Sequence, residues 1–159
     1  MKYILFAVLF TMLTGCSHKA QDIMLDTAIV APKKISITGV RAPWVSEIEK
    51  RLRNNGFEVK RYVSQSTVME KLSSRKTEIY DKAASRYVLN VDGYAPNSNM
   101  HRCVGGGYKF NYINVEVIDL VENEVIANYS NNGYSENCPP LSGKIFSDIV
   151  GLISQLWNK

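Results

Sequence analysis

Ile113-Asn114-Val115-Glu116-Val117-Ile118-Asp119-Leu120, followed across Val121-Glu122 by Asn123-Glu124-Val125-Ile126-Ala127, decides the fold. Apolar and polar residues alternate with a period of two, which suits a half-buried strand and not a helix. Strands are therefore expected over 108–120 and 124–130, joined at Val121-Glu122-Asn123-Glu124 as an antiparallel hairpin. The first strand carries its apolar residues on one parity at Tyr108, Phe110 and Tyr112, then on the other at Ile113, Val115 and Val117. A parity switch within one strand requires an extra residue, so a β-bulge is expected near Tyr112.

Working outward, Lys34 to Val40 alternates and reads as an opening strand. Trp44, Val45, Ile48 and Leu52 then share one helical face, with Pro43 at the first turn, Glu49 on the exposed side and Asn54-Asn55-Gly56 as the stop. Phe57 to Tyr62 is a second strand, and Tyr87 to Tyr94 a third. Between them, 66–75 fits a short capped helix, and 77–86 a further helical segment. From Ser142, a last helix presents Ile145, Phe146, Ile149, Val150, Ile153, Leu156 and Trp157 on one broad face. The order β-α-β-α-(α)-β-β-β-α implies an α/β sandwich: one mixed sheet of about five strands with helices packed on it, over residues 35–159.

At the N-terminus, Met1-Lys2 supplies a positive start, Tyr3 to Leu13 is almost wholly apolar, and Leu13-Thr14-Gly15-Cys16 follows. This is the three-part order of a secretory signal peptide, and the run is too short to span a bilayer. Leu13-Thr14-Gly15-Cys16 resembles the lipobox of bacterial lipoproteins. The resemblance implies cleavage before Cys16 and acylation of its sulfur, so that residues 1–15 are a signal peptide and residues 16–34 a lipidated N-terminus and tether. Ser17 after the cysteine implies sorting to the outer membrane, with the domain facing the periplasm. The first partner so implied is the lipid bilayer, held through acylated Cys16.

Removal of residues 1–15 leaves 144 residues, enough for one domain with a real core. The full chain carries 19 Lys+Arg against 15 Asp+Glu, and loss of Lys2 leaves 18 against 15, a net charge of +3. That mild excess suits anionic envelope surfaces but does not approach a nucleic-acid-binding composition. With Cys16 acylated, two thiols remain, Cys103 and Cys138. In an oxidising periplasm such a pair reads as one disulfide, worth about 3–4 kcal/mol in the chain-entropy picture. The competing reading, a metal held by His101, Cys103 and Cys138, lacks a fourth ligand and any Cys-x-x-Cys pair, so no metal is expected.

A second resemblance covers roughly residues 35–158. Gly39-Val40 with Asn55-Gly56-Phe57-Glu58-Val59, Ala83 to Gly93, and the 113–127 hairpin are similar to a group of envelope lipoprotein domains. That group includes the lipoprotein activators of penicillin-binding proteins and the curli-secretion channel lipoprotein, whose shared domain is an α/β sandwich. The chain departs from both. It has no spare alternating strands for a membrane barrel, its 17–34 segment is short, and the cysteine pair and the 97–107 loop are extra.

Catalytic chemistry finds little footing. His18 and His101 are the two histidines, and neither stands in a recognised nucleophile arrangement. Gly105-Gly106-Gly107 is followed by Tyr108-Lys109 rather than Lys-Ser/Thr, so it reads as a flexible loop and not a phosphate cradle. Asp81, Asp92 and Asp119 lie on separate elements, and the latter two are expected to cap strand ends. No catalytic residue and no cofactor are expected. The 97–102 and 131–137 segments are long and polar, and a Cys103–Cys138 bond would pin them together, so Met100, His101, Arg102, Tyr108 and Tyr134 form the candidate partner-binding patch. The expectation is a non-enzymatic accessory or regulatory module for an envelope protein or a cell-wall component such as peptidoglycan. The alternative is a subunit of an oligomeric secretion or conjugation assembly.

Overall fold

The alternation over 113–127 is realised as two antiparallel strands whose odd-numbered residues on the first, Ile113, Val115 and Val117, are buried in the core. The computed structural model describes residues 19–25, 28–61, 85–96 and 102–158. In chain order these form β1 (Lys19–Ile23), β2 (Lys34–Gly39), α1 (Val45–Asn54), β3 (Glu58–Arg61), β4 (Tyr87–Tyr94), β5 (Lys109–Asp119), β6 (Glu124–Tyr134) and α2 (Ile145–Gln155). The fold is α/β, a mixed six-stranded sheet in the order β1-β6-β5-β4-β2-β3 with two helices packed on it.

β2 pairs in parallel with both β3 and β4, while β4, β5, β6 and β1 run antiparallel in turn. The β5–β6 register slips between Phe110 and Ile113, where the parity switch placed a bulge. A second slip falls between Val117 and Ile118. Asn123, about which the hairpin was expected to turn, takes φ 55°, in the left-handed region that asparagine tolerates. Gly39 ends β2 at φ 99° against the Val91 carbonyl, where any Cβ would overlap that backbone.

The core lies between the sheet and the helices. Ile35, Ile37, Leu89, Val91, Val115 and Val117 meet Val45, Ile48 and Leu52 of α1 and Ile149, Leu152 and Ile153 of α2. Aromatic rings close both ends: Trp44 packs edge-on to Phe110 at 5.1 Å, and Trp157 packs edge-on to Phe57 at 5.1 Å and Tyr87 at 5.2 Å. Such T-shaped pairs add to area burial because the positive ring edge meets the negative face.

Four expectations are corrected. The sheet has six strands, not about five, because Lys19–Ile23 lies in the segment expected to be tether over 16–34. β6 has a free edge for this segment, and Ile23 and Leu25 find apolar neighbours in the core. Ile29 is also buried, its N–H bonded to the Leu156 carbonyl at 2.7 Å, and the Trp157 indole N–H donates to the Ala31 carbonyl at 3.1 Å. β6 runs on to Tyr134, past the expected end at Ser130, because Lys109 and Phe110 of β5 pair with Tyr134 and Gly133. Glu49, expected on the exposed side of α1, is 8% exposed, since Arg53 (3.5 Å) and Arg61 both pair with it. The helical segments expected over 66–75 and 77–86 lie outside the described residues, except Ser85 and Arg86, which precede β4 in non-helical chain. Among the described residues no helix is long and apolar enough to cross a membrane.

Candidate functional site

At the end of the sheet where β5 begins and β6 ends, two loops are welded to each other. Cys103 and Cys138 form a disulfide with their Cα atoms 4.9 Å apart. Backbone bonds reinforce it: Gly107 N–H donates to the Asn137 carbonyl at 3.0 Å, and Cys103 N–H to the Gly107 carbonyl at 3.2 Å. Ser135, fully buried, accepts the Tyr108 N–H on its hydroxyl at 2.9 Å and donates to the Glu136 carbonyl at 3.0 Å. Further along the same loop the Ser142 hydroxyl accepts the Cys138 N–H at 2.8 Å. The peptide bond between Pro139 and Pro140 is cis.

The glycine run does a different job from the flexible loop expected of it. A Cβ at Gly107 would overlap the Glu136 carbonyl and the Cys138 sulfur, and one at Gly105 would overlap the Asn137 carbonyl. Glycine is needed here because the two backbones touch. The signal legible in sequence was the nearness of the run to Cys103; what it touches lies about 30 residues further on.

The patch residues separate on inspection. Met100 and His101 lie outside the described residues. Arg102 stacks over the Tyr108 ring at 4.5 Å and donates to the Gly106 carbonyl. Tyr108 is 5% exposed, its ring facing Phe110 and Phe146, so it belongs to the scaffold and not to a recognition surface. It was placed in the patch because it adjoins the disulfide-clipped loops; burial wins because its ring packs against aromatic neighbours. Tyr134 is half-buried at the end of β6, with the Lys109 ammonium 5.6 Å from its ring centre. The exposed residues of the welded loops instead include Val104 (97%), Asn137 and Leu141 (60%).

Beneath the loops, Glu136 organises a polar cleft lined by Glu47, Arg51, Arg102 and Phe146. Its carboxylate accepts the Phe146 N–H at 3.2 Å, and the N–H and hydroxyl of Ser147 at 2.7 and 2.6 Å. Arg51 lies 3.4 Å away. Burial pushes this carboxyl up, but the Ser147 bonds and the Arg51 charge outweigh it, leaving it below the usual carboxylate range. A carboxylate at the first turn of α2 also complements the helix dipole. Glu136 was not singled out in the sequence because its partners, Arg51 and Ser147, lie on two different helices.

At the opposite end of the hairpin, Arg86 grips Asp119 through three contacts of 2.6–2.9 Å, and Asp119 also accepts the Val121 N–H at 3.0 Å. The Arg86 guanidinium holds the Asp119 carboxyl below its ordinary range against the opposing effect of burial. Asp119 thus caps its strand end as expected, with a cation that the sequence did not pair with it. Deep in the sheet, burial pushes the Tyr129 phenol up to about 12. Among the described residues no group of three or more His, Cys, Asp or Glu side chains could hold a metal.

No family model matches the chain, and no curated protein sequence matches it significantly. Solved structures do resemble it. The PelC dodecamer from Paraburkholderia phytofirmans is 16% identical with a TM-score of 0.44, and a single-substitution variant of that dodecamer is 16% identical with a TM-score of 0.45. Each comparison covers 89% of this chain and 95% of the other. At that level of likeness, what the domain does has to come from its own residues.

Proposed function

We propose that the chain is an outer-membrane lipoprotein, anchored through acylated Cys16, whose periplasmic domain is a non-catalytic binding module for another envelope component. The observation that carries this reading is the weld between the 102–108 and 135–143 loops. A disulfide, glycine-mediated backbone contact and the buried Ser135 hold both loops in one shape. Loops fixed this firmly present a surface at little further entropic cost on binding, which is what affinity for a macromolecular partner requires. Val104, Asn137 and Leu141 are among the exposed residues of that surface, with Arg102 at its margin.

The test is in-cell photo-crosslinking from Val104 and Asn137, with Lys50 on α1 as the control position. Capture of one envelope protein, or of peptidoglycan, from the loops but not from Lys50 is the expected result. No specific adduct from either loop position removes the welded loops as a recognition surface.

A second reading, a subunit of an oligomeric secretion assembly, draws on the sheet edges. β1 and β3 each pair on one side only among the described residues, and unpaired edges are places where a second chain can add. Adducts between copies of this chain in the same experiment, with a multimer in mild detergent, would favour it.

A further inference from the structure

Three lysines converge where β1 and β5 begin and β6 ends. Lys19 opens β1 opposite Asn131, Lys109 opens β5 opposite Tyr134, and Lys144 immediately precedes α2. Their side chains line one cleft together with Asn131, Tyr134 and the exposed Leu141, and no carboxylate lines it. Lys19 is partly neutralised by Asp148 at 2.8 Å. Among the described residues, Lys109 and Lys144 have no carboxylate within ion-pair distance. The N–H groups of Phe146 and Ser147 at the start of α2 are already taken by Glu136 and add nothing to the cleft. The cleft therefore offers an anion two ammonium groups with no carboxylate partner, Lys109 resting over the Tyr134 ring, beside the Asn131 amide, whose nitrogen also donates to the Tyr129 hydroxyl.

The sequence just before Lys19 places this cleft. Cys16 precedes Lys19 by three peptide steps, so their Cα atoms are separated by at most about 11 Å. With Cys16 acylated, its glycerol lies at headgroup depth, and the mouth of the cleft lies within reach of the same layer. Lysines at that depth face an anionic surface potential, and Leu141 beside them is suited to the glycerol–acyl boundary. We propose that Lys109 and Lys144, backed by Lys19, bind the headgroup phosphate of an anionic phospholipid in the leaflet that holds the anchor. The inference rests on the acyl-anchor reading of Cys16. It turns the welded-loop end of the domain toward the membrane, so that its partner is met at the bilayer surface.

Native mass spectrometry of the full chain, matured in cells and extracted in mild detergent, tests this with added phosphatidylglycerol. The covalent mass reports acylation of Cys16, and the non-covalent adducts report the cleft. Wild type is expected to retain phosphatidylglycerol, and the Lys109→Gln/Lys144→Gln variant to lose occupancy by about tenfold or more. Lys50→Gln/Lys60→Gln, which removes the same charge from α1 and β3, should retain the lipid like wild type. Equal retention in the cleft variant, parallel loss in the control variant, or displacement by an equal concentration of inorganic phosphate would each overturn the lipid site. An unacylated covalent mass overturns the anchor reading by itself, and the lipid ratio between variants still decides the cleft. Matching thermal melting curves for the three proteins confirm that the loss is not one of folding.

Discussion

At one end of the β5–β6 hairpin an arginine grips a buried carboxylate, whereas at the other a covalent bond ties the preceding loop to the following one. Arg86 reaches Asp119 from the residue before β4, and about half of its side chain stays in water. The welded end needs no charge to stay closed: sulfur, backbone and glycine supply the contact. The first kind of closure answers to pH, the second to redox state. Water competes with an ion pair but not with a disulfide, so the open end of the hairpin is held by the bond that water does not weaken.

The largest way to break this contrast is to remove the bond. Replacing both Cys103 and Cys138 by Ser should cost about 3–4 kcal/mol, as a 35-residue separation predicts on the chain-entropy model. Urea unfolding measures it, and hydrogen exchange should rise across 102–108 and 135–143 while the Arg86–Asp119 end keeps its protection. Equal loosening of both ends would show that the hairpin opens as one unit.

Gly107→Ala sharpens the comparison, because it leaves both cysteines in place. The added methyl meets the Glu136 carbonyl and the Cys138 sulfur, and overpacking of this kind costs about 2 kcal/mol. A variant as stable as wild type would mean that the loops separate without harm and that the disulfide alone makes the weld.

Asp119→Asn has the smallest expected effect, since its cation is half in solvent, but it carries the clearest pH signature. The folded Asp119 carboxyl is held below its unfolded value of about 3.9, so its stabilisation is complete above that pH and is lost as pH falls through the folded value. Wild type should exceed Asp119→Asn in urea midpoint at pH 7, and the gap should narrow progressively as pH falls below the unfolded value of about 3.9. Glu136 is also depressed, so both proteins weaken in acid, and only the difference between them belongs to Asp119. A gap that persists unchanged in acid would assign the effect of Asp119 to packing.

Much of the sheet was legible because a period of two is a local property. The alternation over 108–127 yielded the hairpin, and its parity switch yielded the register slip near Tyr112. The apolar face of α2 was equally plain. Legibility failed where the deciding partner is remote. Nothing in Lys19-Ala20-Gln21-Asp22-Ile23 marks a strand; its ladder exists because β6, more than 100 residues away, has an edge to fill. Tyr108 looked like a surface aromatic until Phe110 and Phe146 enclosed it. Glu136 looked like a loop charge until α1 and α2 brought it Arg51 and Ser147.

Residues 113–127, the apolar helical faces and the two late cysteines by themselves determined an α/β sheet with a hairpin whose open end lies near both thiols. Only the tertiary structure decided that the N-terminal segment completes the sheet, that glycines let two loops touch, and that three lysines from β1, β5 and the approach to α2 share one cleft. The division has a physical cause. Periodicity and turn chemistry act between neighbours in the chain and are written in order along it. Edge pairing, close backbone approach and charge convergence act between residues that only packing brings together.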